Sequence, residues 1–153
     1  MPLSVKDRAL RLLERRDYGR DELAAKLVEK GAEPEEAAAV AGRMVELGFV
    51  NDANYAAMVA RHYAARGYGE RRIHDELRRR RIPRELWDSA LEAVPEDGDA
   101  AYRCLCARLR GRAAQPDELR RAAAALQRRG FPWEEVRAAL ERYKREYDSQ
   151  EEA

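Results

Sequence analysis

The side chains best equipped for chemistry in this sequence are its arginines, which make up 26 of the 30 basic residues. Between Arg61 and Glu85 nine arginines face four acids, a local net charge of +5, and Arg78, Arg79, Arg80 and Arg81 are contiguous. A planar guanidinium offers a fork of donors that matches phosphate or carboxylate. The segment therefore reads in two ways. It is a surface for phosphates or for the acidic strip of a protein, or it is a solvated helix face. Asp75 and Glu76 favour the second reading, because they precede Arg79 and Arg80 in the orientation that suits intrahelical pairs. On the first reading Arg71 and Arg78, with Arg81, share a side of one helix. Tyr68, between Gly67 and Gly69 and next to Arg71 and Arg72, can stack on a base or anchor a protein interface. Tyr18 precedes Gly19 in the same way, which favours a packing role for both. A second basic candidate is formed by Arg110, Arg112, Arg120, Arg121, Arg128 and Arg129. The arginine excess also fits a plain compositional bias toward Ala and Arg.

Other chemistries lack their parts. The two cysteines, Cys104 and Cys106, lie two apart on a helical stretch and point about 200° away from each other, so they do not chelate one metal. His62 and His74 have no zinc-ligand spacing around them. Ser4, Ser89 and Ser149 lack a nucleophile's His and acid. The acids are interleaved with arginine, which lowers their pKa values and does not prepare a general acid. Gly67-x-Gly69 follows no strand and lacks a third glycine, so it is not a phosphate loop. No enzyme, cofactor or metal is expected.

Positioning these side chains falls to helices. Alanine occurs 28 times and leucine 15 times; threonine is absent, and isoleucine occurs only at Ile73 and Ile82. This is a helix-forming composition, poor in the β-branched residues that strands prefer. Nine helical segments are predicted. Four are bounded as Ser4–Arg16, Arg20–Lys30, Pro34–Leu47 and Asp52–Arg66. A fifth spans Glu70–Arg80 with Ile73 and Leu77 inward, and a sixth opens at Ile82-Pro83. The rest are Asp99–Arg110, Asp117–Arg129 and one opening at Gly130-Phe131-Pro132. Trp87 and Trp133 sit at core spacing, and the polar tail 148–153 is expected to fray. The charge nearly cancels, at +1 overall. No apolar run approaches ~18 residues and the start has no secretory pattern, so a cytoplasmic protein is expected, and its high surface charge favours a monomer.

The segments repeat. Tyr18-Gly19 returns as Tyr68-Gly69, Leu23 and Leu27 as Ile73 and Leu77, and Lys30-Gly31-Ala32 as Arg80-Arg81-Ile82 and again as Arg129-Gly130-Phe131. A period near fifty residues predicts an all-α, elongated, curved array of three tandem three-helix repeats, 1–49, 50–96 and 97–147. Where the first and third repeats have glycine the second has Arg81. A left-handed conformation suits arginine poorly, so that turn is expected to differ. Such an array offers a long side for a polymer or a large partner and no closed pocket.

Four stretches resemble the RecX family of bacterial RecA regulators. Leu47-Gly-Phe-Val-Asn-Asp-Ala-Asn-Tyr-Ala56 is similar to the link between its first two repeats. Gly67-Tyr-Gly-Glu-Arg-Arg-Ile-His-Asp-Glu-Leu77 resembles its G-x-G-x-x-R-I-x-x-E-L stretch. Arg128-Arg-Gly-Phe131 resembles the R-G-[FY] of the third repeat, and Glu22-Leu23 with Leu27 the E-L-x-x-x-L of the first. The ordered set spans residues 5–147. The resemblance implies a protein without catalysis or metal that binds RecA on single-stranded DNA. It would lie in the filament groove and inhibit extension, ATP hydrolysis, strand exchange and co-protease activity. A general DNA-binding helical protein, acting without RecA, is the alternative that the +5 segment supports. The candidate contacts are Tyr68, Arg71, Arg72, Arg78, Arg79, Arg80, Arg81, Arg120, Arg121, Arg128 and Arg129. Replacing Arg78–Arg81 with alanine is expected to weaken filament binding and leave the fold intact.

Overall fold

The computed structural model describes residues 3–151, with side chains described for 3–147. The described residues are helical, as the composition requires. Among the described residues nine helices follow one another as α1 (Val5–Arg15), α2 (Arg20–Glu29), α3 (Pro34–Glu46), α4 (Asp52–Ala65), α5 (Glu70–Arg79), α6 (Trp87–Glu92), α7 (Ala100–Leu109), α8 (Pro116–Arg128) and α9 (Trp133–Glu151). A short 3-10 turn, Arg84–Leu86, leads into α6. Ser4 caps α1 by accepting the Asp7 N–H at 3.1 Å. Pro34 and Pro116 open α3 and α8, where a missing N–H costs nothing. The expected polar tail begins inside α9, which continues to Glu151; residues 152 and 153 lie outside the described residues.

The chain divides into two compact units. One comprises residues up to Ala60 together with Glu76–Ala93; the other comprises Arg61–Asp75 together with residues from Val94 on. Residues 50–96 thus contribute to both. In the first unit Ala9, Tyr18, Leu23, Leu27, Ala37, Ala41, Met44 and Val50 form one buried cluster. In the second, Ala101, Leu105, Leu109, Ala122, Ala123, Leu126, Phe131, Val136, Ala139 and Tyr143 form another. Trp87 is buried as its spacing predicts, its indole N–H donating to the Ile82 carbonyl at 3.0 Å. Trp133 is not: it is 52% exposed, because Val136, Ala139 and Tyr143 take the core side of α9.

One turn recurs three times. After α2, Gly31 N–H donates to Val28 O at 2.9 Å and Ala32 N–H to Leu27 O at 3.0 Å. After α8, Gly130 N–H reaches Gln127 O at 2.9 Å and Phe131 N–H reaches Leu126 O at 3.2 Å. After α5, Arg81 N–H reaches Arg78 O at 3.0 Å and Ile82 N–H reaches Leu77 O at 3.1 Å. Each closes its helix with the paired bonds of a Schellman cap. Arg81 adopts the left-handed conformation, φ 58°, that glycine supplies at the other two sites. The expected difference does not occur: two cap bonds and the burial of Ile82 outweigh a conformational cost of roughly 1 kcal/mol.

Candidate polyanion and protein interface

Within the run Arg78–Arg81 the side chains differ in what they touch: Arg78, Arg79 and Arg81 are exposed, and Glu76 lies beneath Arg79 and Arg80. Glu76 is 3% exposed and accepts from Arg79 and from Arg80, whose Nε lies 2.8 Å from Oε1. Burial alone would raise the pKa of Glu76; the hydrogen bonds from Arg79 and Arg80 hold it at about 2. Arg80 also donates to the Tyr55 hydroxyl at 2.8 Å, and Arg16 donates to the same oxygen at 3.1 Å. Arg80 is therefore half-buried and committed inward. Arg78 lies over the Trp87 ring at 5.2 Å, and Arg81 holds the left-handed turn. Removing all four would leave a buried carboxylate without these two partners, which is destabilising. The alanine series expected to spare the fold is thus restricted to Arg78 and Arg81.

In the second unit the N-terminus of α5 meets the turn after α8. Gly69 N–H donates to Arg129 O at 2.8 Å and Arg71 N–H to Gly130 O at 3.0 Å. The approach is close enough to require glycine. A methyl group at Gly69 would lie 2.6 Å from the carbonyl carbon and oxygen of Gly130. Arg129 completes the clamp, its Nε donating to Gly67 O at 3.0 Å and Nη2 to Arg66 O at 2.8 Å. Its guanidinium lies over the Tyr68 ring at 4.5 Å. The guanidinium of Arg66 lies 5.7 Å from the same ring and that of Arg72 5.6 Å from it. Tyr63 adds a tilted ring contact at 5.6 Å.

Three cations thus converge on one half-buried tyrosine, each with a cation–π contact worth roughly 0.5–1 kcal/mol. Among the described residues none of the three is ion-paired to a carboxylate. Glu70, in the adjoining first turn, lies instead 3.8 Å from His74. Burial, and then the charge of Glu70, raise the pKa of Glu135. The guanidiniums of the cluster are chemically able to hold a phosphate or carboxylate beside the tyrosine.

The remaining sequence candidates are dispersed. Arg71 is exposed on α5, and Arg121 and Arg128 are exposed on α8. Arg120 is paired with Asp117. Sequence reasoning passed over Arg66 and the stripe Arg8, Arg11 and Arg15 on α1. With Lys30, Leu3 and Leu12 these three line a shallow cavity of about 370 Å³. Their spacing, i, i+3, i+7, was the available signal. Cys104 and Cys106 are free and half-buried. Among the described residues no group of His, Cys, Asp and Glu could hold a metal ion, and no helix is long and apolar enough to cross a membrane.

Comparison with known proteins adds relatives to this geometry. A family profile described as the first three-helix domain of RecX matches residues 6–44, and one described as its second three-helix domain matches residues 51–91. The regulatory protein RecX of Halorhodospira halophila is 38% identical over 138 residues, covering 89% of this chain and 86% of that protein. The regulatory protein RecX of Xanthomonas axonopodis pv. citri is 39% identical over 134 residues, covering 86% and 83%. The crystal structure of RecX from Lactobacillus salivarius superposes with a TM-score of 0.72 at 18% identity, covering 92% of this chain and 94% of that one. A second RecX crystal structure gives 0.76 at 19% identity, covering 90% and 71%. These two structures bear on the fold alone.

Proposed function

The chain belongs to the RecX family of regulatory proteins, and on that premise we propose that it is a non-catalytic regulator of RecA. It binds the RecA filament on single-stranded DNA, lies in the filament groove as a cytoplasmic monomer and limits extension. ATP hydrolysis, strand exchange and co-protease activity fall together as a result. Three three-helix repeats, 1–49, 50–96 and 97–147, supply the binding side. The observation that carries the reading is the cluster at Tyr68. Tyr68 and Arg72 lie within the stretch Gly67–Leu77 that resembles the family pattern, and among the described residues no carboxylate is ion-paired to Arg66, Arg72 or Arg129. A nucleoprotein filament presents the phosphates and acidic side chains that would neutralise the cluster.

The test is DNA-dependent ATP hydrolysis by the cognate RecA with this protein titrated in. Inhibition well below one molecule per RecA subunit supports the reading and points to end capping or propagated disassembly. No inhibition at equal ratio refutes it. The double variant Arg66→Ala, Arg72→Ala leaves the Arg129 clamp in place and is expected to need at least tenfold more protein for the same effect. The same cluster favours a second reading, direct DNA binding without RecA, since a tyrosine beside several guanidiniums suits a base and its phosphate. Tight binding to bare single strands that weakens steeply with salt supports it; undetectable binding removes it.

A further inference from the structure

Trp133 stands half in water although Phe131 and Val136 on either side of it are buried. Single exposed apolar side chains are ordinary, but this one opens onto a groove. Along α9, Trp133, Leu140 and Lys144 form a stripe beside the core positions. Across from them α8 presents Leu119, Arg120 and Ala123 at i, i+1 and i+4. Together they border a cavity of about 720 Å³ with an apolar, small-residue floor. Its charged lining residues are both cationic. Arg120 shares its charge with Asp117, while Lys144 has no ion pair among the described residues.

Size, apolarity and charge select the occupant. The thirteen residues of α8 span roughly 20 Å, three to four helical turns. An alanine floor lets a second helix approach to an axial separation of about 8 Å. An indole at one end is the kind of anchor that dominates protein interfaces. Two cations over this length are too few for a polynucleotide, whose binding needs a tract of phosphate contacts, but they complement carboxylates flanking an apolar stripe. We propose that the groove between α8 and α9 docks an amphipathic acidic helix of a protein partner. The apolar i, i+4, i+7 side chains of that helix lie on Ala123 and against Trp133, and a carboxylate reaches Lys144. This site is separate from the Tyr68 cluster and stands or falls without it.

The probe is a synthetic helical peptide of about 14 residues with leucine at i, i+4, i+7 and i+11, alanine between them and glutamate at both flanks. Its counterpart carries lysine for every glutamate. Calorimetric titration into the full chain is expected to show saturable binding of the glutamate peptide, at least tenfold weaker binding of the lysine peptide, and a blue shift of tryptophan emission as Trp133 leaves water. Trp133→Ala and Lys144→Glu alter surface side chains. Each is expected to keep the wild-type circular-dichroism spectrum and to weaken the glutamate peptide at least tenfold. Absence of binding, equal binding of the two peptides, or undiminished binding to Trp133→Ala overturns the proposal. RecA is absent from this assay, so its outcome is independent of the ATP-hydrolysis test.

Discussion

Tyr18-Gly19 and Tyr68-Gly69 are the same dipeptide fifty residues apart, yet the turns they make are closed by different chemistry. In the first, Gly19 N–H donates to Glu22 Oε1 at 3.2 Å and Arg20 N–H to Asp52 Oδ1 at 2.8 Å. Carboxylates meet the positive end of α2, as the helix dipole favours. Arg16, lying over Tyr18 at 3.7 Å, is itself paired with Glu22. In the second, the amides of Gly69 and Arg71 go to backbone carbonyls of Arg129 and Gly130. A carbonyl satisfies a donor but brings no net charge. The three guanidiniums around Tyr68 therefore keep theirs, whereas the charge at Tyr18 is compensated within its own unit. The acceptor that closes a turn thus decides whether the charge of its arginines is compensated within the fold or left for an outside anion.

The two turns are expected to differ most at their glycines. Gly69→Ala drives a methyl into the Gly130 backbone and is expected to cost about 3 kcal/mol or more in urea denaturation. At Gly19 the added methyl meets the Asp52 carboxylate at 3.1 Å and the Tyr55 ring, side chains that can give way, and Gly19→Ala is expected to cost about 1 kcal/mol. Equal losses would show that the two turns are held alike.

Next in size is the buried carboxylate beneath the arginine run. Arg80→Ala removes one partner of Glu76 and is expected to cost about 2–3 kcal/mol, while Arg78→Ala, which loses the contact with Trp87, is expected to cost about 1 kcal/mol. The folded pKa of Glu76, about 2, lies below its ordinary 4.5. Its contribution is therefore fully present above pH 4.5 and disappears as pH falls toward 2. Glu76→Gln should flatten the stability profile across that window, as measured by denaturation at successive pH values. An unchanged acid slope would place the titration elsewhere.

A smaller contrast separates the two arginines over the tyrosines. Arg129→Ala leaves the carbonyls of Arg66 and Gly67 without their donor and is expected to cost about 1–2 kcal/mol. Arg16→Ala removes a partly exposed ion pair and a bond to Tyr55 and is expected to cost under about 1 kcal/mol. The reverse order in thermal melts would remove the distinction drawn between the turns. The smallest effect is a gain. Arg81→Gly relieves the left-handed arginine, and the protein is expected to be about 0.5 kcal/mol more stable, the relief being partly offset by the greater freedom of glycine in the unfolded chain.

Helix order, turn positions and most buried residues were legible because they follow from local rules. Leucine at repeat positions 27, 77 and 126 supplies a cap carbonyl each time, and the cap bonds form whether glycine or arginine follows. The roles of the arginines were not legible in the same way. The pairing of Arg79 and Arg80 with Glu76 was visible as i, i+3 and i, i+4 spacing. The inward turn of Arg80 was not, because Tyr55 lies 25 residues away. Arg129 looked like its exposed neighbour Arg128, yet its acceptors are 62 and 63 residues distant. Trp133 had core spacing, but Val136 and Tyr143 filled the core without it.

By itself the sequence determined an all-α chain with a recurring helix–turn unit. Propensity, amphipathic spacing and cap hydrogen bonds act between residues a few positions apart and so are written in order along the chain. Which cations are spent on the fold and which stay at the surface was decided only by tertiary structure. A guanidinium's role depends on the acceptors brought to it from distant segments, and those acceptors are assembled only when the helices pack.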